Sequence, residues 1–204
     1  MWIIANIYAR SQTNYTLTHL AEHLQKFSHD TINRYLRNEQ LTPSLVWQNI
    51  KLDIKEFEDG DIVFDDTVLD KRYGQSIELV RSQYSGTEHR VLAGIGLISC
   101  IYINRKISRF WVVNYRIYEL AEDGKSKLDH VADMLNDLVN SKQLSFDRVI
   151  IDSCYACQKL MFLIEDLGKI YYCPLKKNRL VDDTGGIEKY KFLSGKNGRE
   201  RVET

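Results

Sequence analysis

Residues 60–67 read Gly-Asp-Ile-Val-Phe-Asp-Asp-Thr and residues 148–153 read Arg-Val-Ile-Ile-Asp-Ser. Both are short runs rich in β-branched and aromatic residues, the composition of a strand, and each run stops at aspartate: Asp66 in the first, Asp152 in the second. Open α/β sheets gather ligands at the C-terminal ends of their strands, because the backbone is rigid up to that point and the side chains beyond it face solvent. If the two strands are neighbours, the carboxylates converge. Paired hard oxygen ligands suit Mg²⁺ or Mn²⁺, and two such ions about 3.5–4 Å apart can activate water and stabilise the leaving oxygen in phosphodiester cleavage. Aspartates at strand ends also simply begin turns, and position alone leaves both readings standing.

Working outward, residues 91–103 and 106–118 are two long strand candidates separated by Asn104-Arg105, a hairpin signal that lacks the usual glycine. The polar stretch from Lys71 to Arg90 reads as an extended loop or irregular excursion. Asp123-Gly124 breaks the second strand, and Leu128, Val131, Leu135, Leu138 and Val139 mark a helix. Residues 156–167 form a further helix around Leu160, Met161 and Ile164, closed by Gly168, and Ile170 to Cys173 is a last strand. The order β, β-hairpin, α, β, α, β predicts a mixed sheet flanked by helices, in the α/β class.

Ahead of the sheet, residues 16–39 place Leu17, Leu20, Ala21 and Leu24 on one helical face. Ser28 then N-caps a second helix whose Ile32, Tyr35 and Leu36 share a face. Two short helices in this order resemble a helix-turn-helix, in which Asn33, Arg34 and Arg37 would meet double-stranded DNA; a plain helical hairpin has the same pattern. Residues 43–58 continue as a third helix or helical linker, with Val46, Trp47, Ile50 and Ile54 near helical spacing.

With 204 residues, 44% apolar and 27% charged, and two prolines, the chain can bury a core and falls among soluble globular proteins. Its formal net charge of zero gives no global sign of a nucleic-acid partner, so any basic surface must come from uneven placement. The four cysteines (Cys100, Cys154, Cys157, Cys173) lie in or beside apolar runs without a secretory signal, so buried free thiols and a cytoplasmic location are expected. No apolar run reaches the roughly 18 residues of a membrane span.

A series of short motifs adds a family likeness. Asp65-Asp-Thr-Val-Leu-Asp-Lys71, Tyr84-Ser-Gly86, His89-Arg90, Arg116-Ile-Tyr118, Asp123-Gly-Lys125, Asp129-His130 and Ile151-Asp-Ser-Cys-Tyr155 together resemble insertion-sequence transposases of the DDE type, over residues 17–181. The resemblance implies an RNase H-like catalytic core that cuts and rejoins DNA with Mg²⁺ or Mn²⁺, acting on transposon ends and target DNA, with a possible homo-oligomer. It puts the first acid at Asp66, immediately before Thr67, and the second at Asp152. Strand alternation sends Asp65 to the opposite face, as a supporting residue, while Thr67 is a candidate for orienting the metal site.

The family's third acid is a glutamate on a late helix, and Glu188, Glu200 and Glu203 lack that setting. The expectation is therefore a core incomplete at its C-terminal side: residues 1–58 helical, 59–181 the catalytic core, 182–204 the start of an insertion or a truncated tail. Function is expected to be that of a transposase fragment for strand cleavage and transfer, or of an inactive DNA-binding or regulatory form. Lys176, Lys177 and Arg179 are candidates to hold DNA phosphates, joined by Arg116, Lys125 and Lys127, although surface cations are often only solvated. Cys154-Tyr-Ala-Cys157 lacks the further ligands of a structural zinc site. Asp123 reads as a turn residue, Asp129 as helical, and His130 as capping or on the surface.

Overall fold

The computed structural model describes residues 18, 21, 27–38, 41–74, 76–86, 88–176, 191–193 and 201–203. The chain divides into two compact units, residues 1–42 and 43–204. In the first, helix α1 spans His29–Asn38, and the Ser28 hydroxyl accepts from the Thr31 N–H at 3.2 Å, the bond an N-cap serine supplies. Ile32 is buried, whereas Asn33, Arg34 and Arg37 are exposed. Of the helix expected before it, Thr18 and Ala21 are helical; its pairing with α1 lies outside the described residues.

The second unit opens with α2 (Pro43–Ile50), whose proline sits where a helix needs no N–H partner. The helix stops at Ile50 instead of running on to residue 58. The Asp53 N–H turns back to the Ile50 carbonyl at 2.8 Å, and Ile54 drops into the core. Although expected within the N-terminal region, α2 therefore packs with the sheet, against β4 (Arg109–Tyr118).

Strands β1 (Asp61–Asp70), β2 (Arg81–Ser85), β3 (Arg90–Asn104), β4, β5 (Arg148–Ile151) and β6 (Ile170–Tyr172) form one six-stranded sheet. β3 runs antiparallel to β1, β2 and β4, while β1–β5 and β5–β6 are parallel. With 15 residues, β3 is long enough to carry two partners end to end on its far edge, β2 along Arg90–Gly94 and β4 along Gly96–Asn104. The principal order is then β4-β3-β1-β5-β6, two antiparallel neighbours followed by two parallel ones. Helices fill the two crossovers, α4 (Lys127–Asn136) before β5 and α5 (Gln158–Asp166) before β6. This is the RNase H-like fold.

β2 corrects the reading of residues 71–90 as wholly irregular. Its sequence, Arg-Ser-Gln-Tyr-Ser, has no apolar alternation, and it is a strand because β3 offers it a free edge. The β3–β4 turn spans residues 105–108. Asn104 Oδ1 accepts from the Lys106 and Ile107 N–H groups at 3.0 and 3.3 Å, and Ser108 takes the left-handed position (φ 51°) in place of a glycine.

One sheet face carries Ile62, Phe64, Ile98, Cys100, Tyr102, Trp111, Val113, Val149 and Ile151. Onto it pack α4, a π-helical segment (Asp137–Ser141) and α5, contributing Val131, Met134, Leu135, Leu138, Leu160 and Ile164. Each such side chain stabilises the fold by about 1.5–3 kcal/mol on burial. The alternate residues face the other way: Val63, Leu97, Ile101 and Ile103 are half-buried, and Phe110, Val112 and Ile150 are exposed. At the base of β1, the Gly60 carbonyl accepts from Asp147 N–H at 2.9 Å, and a Cβ there would lie 2.6 Å from the Tyr102 ring. β7 (Lys191–Leu193) and β8 (Arg201–Glu203) form a separate antiparallel pair.

Two smaller expectations fail. Cys100 is buried and Cys157 and Cys173 are half-buried, but Cys154 is exposed because it stands in the turn beyond β5, where no layer covers it. His130 is buried rather than superficial; it meets the Tyr118 ring edge-on at 6.3 Å, with its Nε2 3.2 Å from Asp123 Oδ2. No helix among the described residues is long and apolar enough to cross a membrane.

Candidate functional site

Register sets the two aspartates on neighbouring strands, but the first run does not stop at Asp66 as expected: β1 continues to Asp70, because β3 goes on pairing with it as far as Gly94. Phe64 of β1 pairs with Ile151 of β5, so Asp66 lies two residues beyond that pair and Asp152 one beyond it, on strands about 4.8 Å apart. Asp66 shares the helix-covered face with Ile62 and Phe64 and is half-buried. Asp152 is exposed, immediately past the last residue of β5.

Asp66 is held from two directions. The Tyr155 hydroxyl donates to its Oδ1 at 3.0 Å, and the Lys127 ammonium pairs with its Oδ2. Tyr155 is 1% exposed and arrives on the turn after β5, where its N–H donates to the Asp152 carbonyl at 2.9 Å. Burial, and then the negative charge of Asp66, push the Tyr155 hydroxyl far above the ordinary tyrosine range, so it remains a donor. Lys127 is the first residue of α4 and also lies 5.4 Å above the Tyr118 ring.

A capping box fixes that end of α4. Ser126 Oγ accepts from Asp129 N–H at 3.2 Å, and Asp129 Oδ2 accepts from Ser126 N–H at 3.0 Å. The Ser126 hydrogen bonds hold the Asp129 carboxyl below the usual range. Asp129 is thus a helix cap, and Asp123 a turn residue accepting from Lys125 N–H at 2.9 Å.

Asp65 is exposed on the opposite face, where its Oδ1 accepts from the Asp66 N–H at 2.9 Å and Ser99 Oγ donates to its carbonyl at 3.2 Å. Thr67 is exposed on that same face, turned away from Asp66. Buried Glu119, just past β4, lies 2.6 Å from Arg81 Nε, an ion-pair contact off the hydrogen-bonding angle that ties β2 to this edge.

Tyr155 and Lys127 meet at Asp66, and Asp152 stands on the adjoining strand, its carbonyl accepting from the Tyr155 N–H. Tyr155 was given no role of its own in the sequence, although it closes the Ile151-Asp-Ser-Cys-Tyr155 motif; Lys127 was legible only as a spare cation. Asn33, Arg34 and Arg37 belong to the first unit, Lys176 is exposed beyond β6, and Lys177 and Arg179 lie outside the described residues. Lys125 is engaged with Asp133 at 2.6 Å. No group of three or more His, Cys, Asp or Glu side chains that could hold a metal occurs among the described residues.

No protein-family model and no curated protein matches the chain. Among solved structures it is similar to a piggyBac transposase synaptic complex with hairpin DNA, at 11% identity over 95% of this chain and 45% of that one, with a TM-score of 0.48. A pre-cleavage Mos1 transpososome is similar at 11% identity over 83% of this chain and 57% of that one, with a TM-score of 0.29. The chain spans about half the length of these structures, 45% and 57%. Its RNase H-like strand order stands independently of these overlaps.

Proposed function

We propose that residues 43–204 are a transposase core of the DDE type, which cuts DNA at insertion-sequence ends and joins them to target DNA, with Asp66 and Asp152 holding Mg²⁺ or Mn²⁺. The observation that carries this reading is the register of β1 with the parallel strand β5 in an RNase H-like sheet, which sets Asp66, inside β1 and two residues past the Phe64–Ile151 pair, beside Asp152, the first residue beyond β5. The donors fit a divalent ion: both are carboxylates, Asp152 is exposed, and Asp66 already draws a cation, the Lys127 ammonium. Mg²⁺ is commonly held by one or two carboxylates plus substrate phosphates, so two acids suffice for a first ion.

When bound, the ion supplies Lewis-acid activation of the attacking oxygen and charge stabilisation at phosphorus. Tyr155 fixes the orientation of the Asp66 carboxylate through Oδ1, and its buried ring excludes water behind it. Lys127 balances the Asp66 charge and, released from it, would be free to meet a DNA phosphate. Asn33, Arg34 and Arg37 on α1 present an exposed polar surface for the duplex. This reading leaves the family's third carboxylate unassigned.

The Lys127–Asp66 ion pair also favours a second reading, a DNA-binding or regulatory chain that does not cleave, because the carboxylate is already neutralised. A gel-shift and nicking assay on terminal inverted repeats, with and without Mg²⁺, separates the two. Binding with Mg²⁺-dependent nicking that is lost in Asp66→Asn supports the enzyme, and binding without nicking supports the regulatory chain. Failure to bind would refute both.

A further inference from the structure

Two backbone irregularities converge on one cavity beside the candidate site. In β4 the register slips, with Ile101 opposite Val112 but Cys100 opposite Asn114, so Val113 is an extra residue and Asn114 is turned toward the helices. Facing it, the helix that begins as α4 widens into the π-helical segment and presents Asp137 and Ser141. Bulges and π segments each disrupt regular hydrogen bonding and recur at functional sites, where they re-aim side chains. Here the two are joined directly: Asn114 Nδ2 donates to Asp137 Oδ2 at 3.0 Å, although Asn114 is only 1% exposed.

Between them and α2 lies a cavity of about 560 Å³, within the size range of small-ligand sites. Its charged groups are Arg116, Lys142 and Asp137. Lys142 pairs with Asp137 and lies 5.4 Å over the Trp47 ring, so the Asp137 charge is balanced. Arg116 donates through Nη1 to the Tyr115 carbonyl at 2.8 Å and to Asn114 Oδ1, which leaves Nε and Nη2 without a partner among the described residues. The net charge of the lining is thus one positive, from two cations and one anion. The first turn of α2 contributes Pro43 and Ser44, bringing the positive end of a helix dipole to the same space.

Position links the cavity to the site. Asp66 pairs with Ile98, and Ile98 with Arg116, so Asp66 and Arg116 stand in one cross-strand row on the same sheet face. Two strand spacings put their backbones about 10 Å apart.

We propose that this cavity is a phosphate-binding subsite, in which Arg116 and Lys142 hold the oxyanion, Ser44 and Ser141 hydrogen-bond to it, and Trp47 lines the side where the rest of the ligand lies. The charge of the lining matches a phosphodiester. The source assigned is a backbone phosphate of a DNA strand running past Asp66; this assignment rests on the DNA-processing reading, whereas the phosphate chemistry does not.

The test uses the full chain and the fluorescence of Trp47, with a Trp47→Phe control for the other tryptophans, titrated with inorganic phosphate, dAMP and a DNA duplex. Phosphate and dAMP should both perturb Trp47, and Arg116→Gln should weaken each by about tenfold, the loss of one charge-assisted contact. Ser141→Asp, at an exposed rim position, should abolish binding by repulsion while leaving the unfolding curve intact. Competition between dAMP and duplex supports the DNA source. Binding of dAMP without such competition keeps the subsite but overturns its assignment to DNA. Phosphate binding by a chain that fails to nick any DNA leaves the subsite standing and counts only against the transposase reading. No Trp47 response to any probe, or equal affinity in wild type, Arg116→Gln and Ser141→Asp, overturns the proposal.

Discussion

Replacing Tyr155 by phenylalanine keeps the buried ring and deletes only the hydroxyl that donates to Asp66 Oδ1 at 3.0 Å. A hydrogen bond to a charged partner contributes about 1.5–3 kcal/mol, and the Asp66 side chain is 22% exposed, so water recovers part of the loss. The expected destabilisation at neutral pH is about 1–1.5 kcal/mol. The effect must also vary with pH, because burial and Asp66 raise the folded Tyr155 hydroxyl above its unfolded value. A group raised on folding lends stability that is full below its unfolded pKa, about 10 for tyrosine, and is lost as pH rises beyond it. Above that point the unfolded chain releases a proton that the native state keeps, a slope of about 1.4 kcal/mol per pH unit. The stability gap between wild type and Tyr155→Phe should therefore close almost fully by about pH 11. Tyr102 and Tyr115, also raised by burial, occur in both proteins and cancel. Urea unfolding at several pH values from neutrality upward measures the gap; a gap that is absent at neutral pH, or constant throughout, refutes the bond as described.

Gly60→Ala should lower stability by about 1–3 kcal/mol, seen as a reduced Tm, because its Cβ would lie 2.6 Å from a Tyr102 ring that is pinned through Phe57; an unchanged Tm would contradict that packing. Ser126→Ala should cost about 1 kcal/mol by removing the cap of α4. The Asp129 carboxyl, held low by Ser126, lends stability that is present above its unfolded pKa and lost as pH falls through the lower folded value, so Asp129→Asn should flatten the acid limb of the stability curve. Thiol labelling followed by mass spectrometry should modify Cys154 first, Cys173 slowly because burial pushes its thiol up to about 11, and Cys100 only on unfolding; early labelling of Cys100 would contradict the core. Lys127→Met should bind Mn²⁺ about tenfold more tightly in paramagnetic titrations, since a competing cation leaves Asp66; equal or weaker binding would show that the ammonium does not occupy the ion's place.

The sheet was largely legible because its strands are read from dense apolar runs such as Val-Leu-Ala-Gly-Ile-Gly-Leu-Ile and Val-Ile-Ile, which few other elements tolerate at that length. β2 was not, since its stability comes from pairing with β3 rather than from its own side chains. The short α2 shows the same limit: Ile54 keeps helical spacing with Ile50, yet a turn intervenes and both still reach the core. The β4 bulge and the π segment leave no periodic signature, because each is a one-residue departure from a regular pattern that tertiary packing selects. Within the site, the two aspartates could be chosen from motif, and Asp152 from position as well, whereas β1 runs on past Asp66 to Asp70. Their partners could not, as Lys127 and Tyr155 lie 61 and 89 residues from Asp66 along the chain.

The alternation that makes β1 a strand also explains why Asp66 needs those partners. Ile62 and Phe64 face the core, so the same period of two carries Asp66 toward the apolar layer while Asp65 points away. A carboxylate half-removed from water is costly unless paired and hydrogen-bonded, and the chain meets this at both oxygens, one with a neutral donor and one with a cation. Both donors stand beyond the C-terminal ends of other strands, Lys127 after β4 and Tyr155 after β5. On the metal-binding reading proposed above, fold stability and ion binding would make opposed demands on one carboxylate. The Tyr155 bond would be compatible with an ion on the remaining oxygen, whereas the Lys127 pair would not, so on that reading an ion arriving at Asp66 would first have to move Lys127, the more exposed of the two.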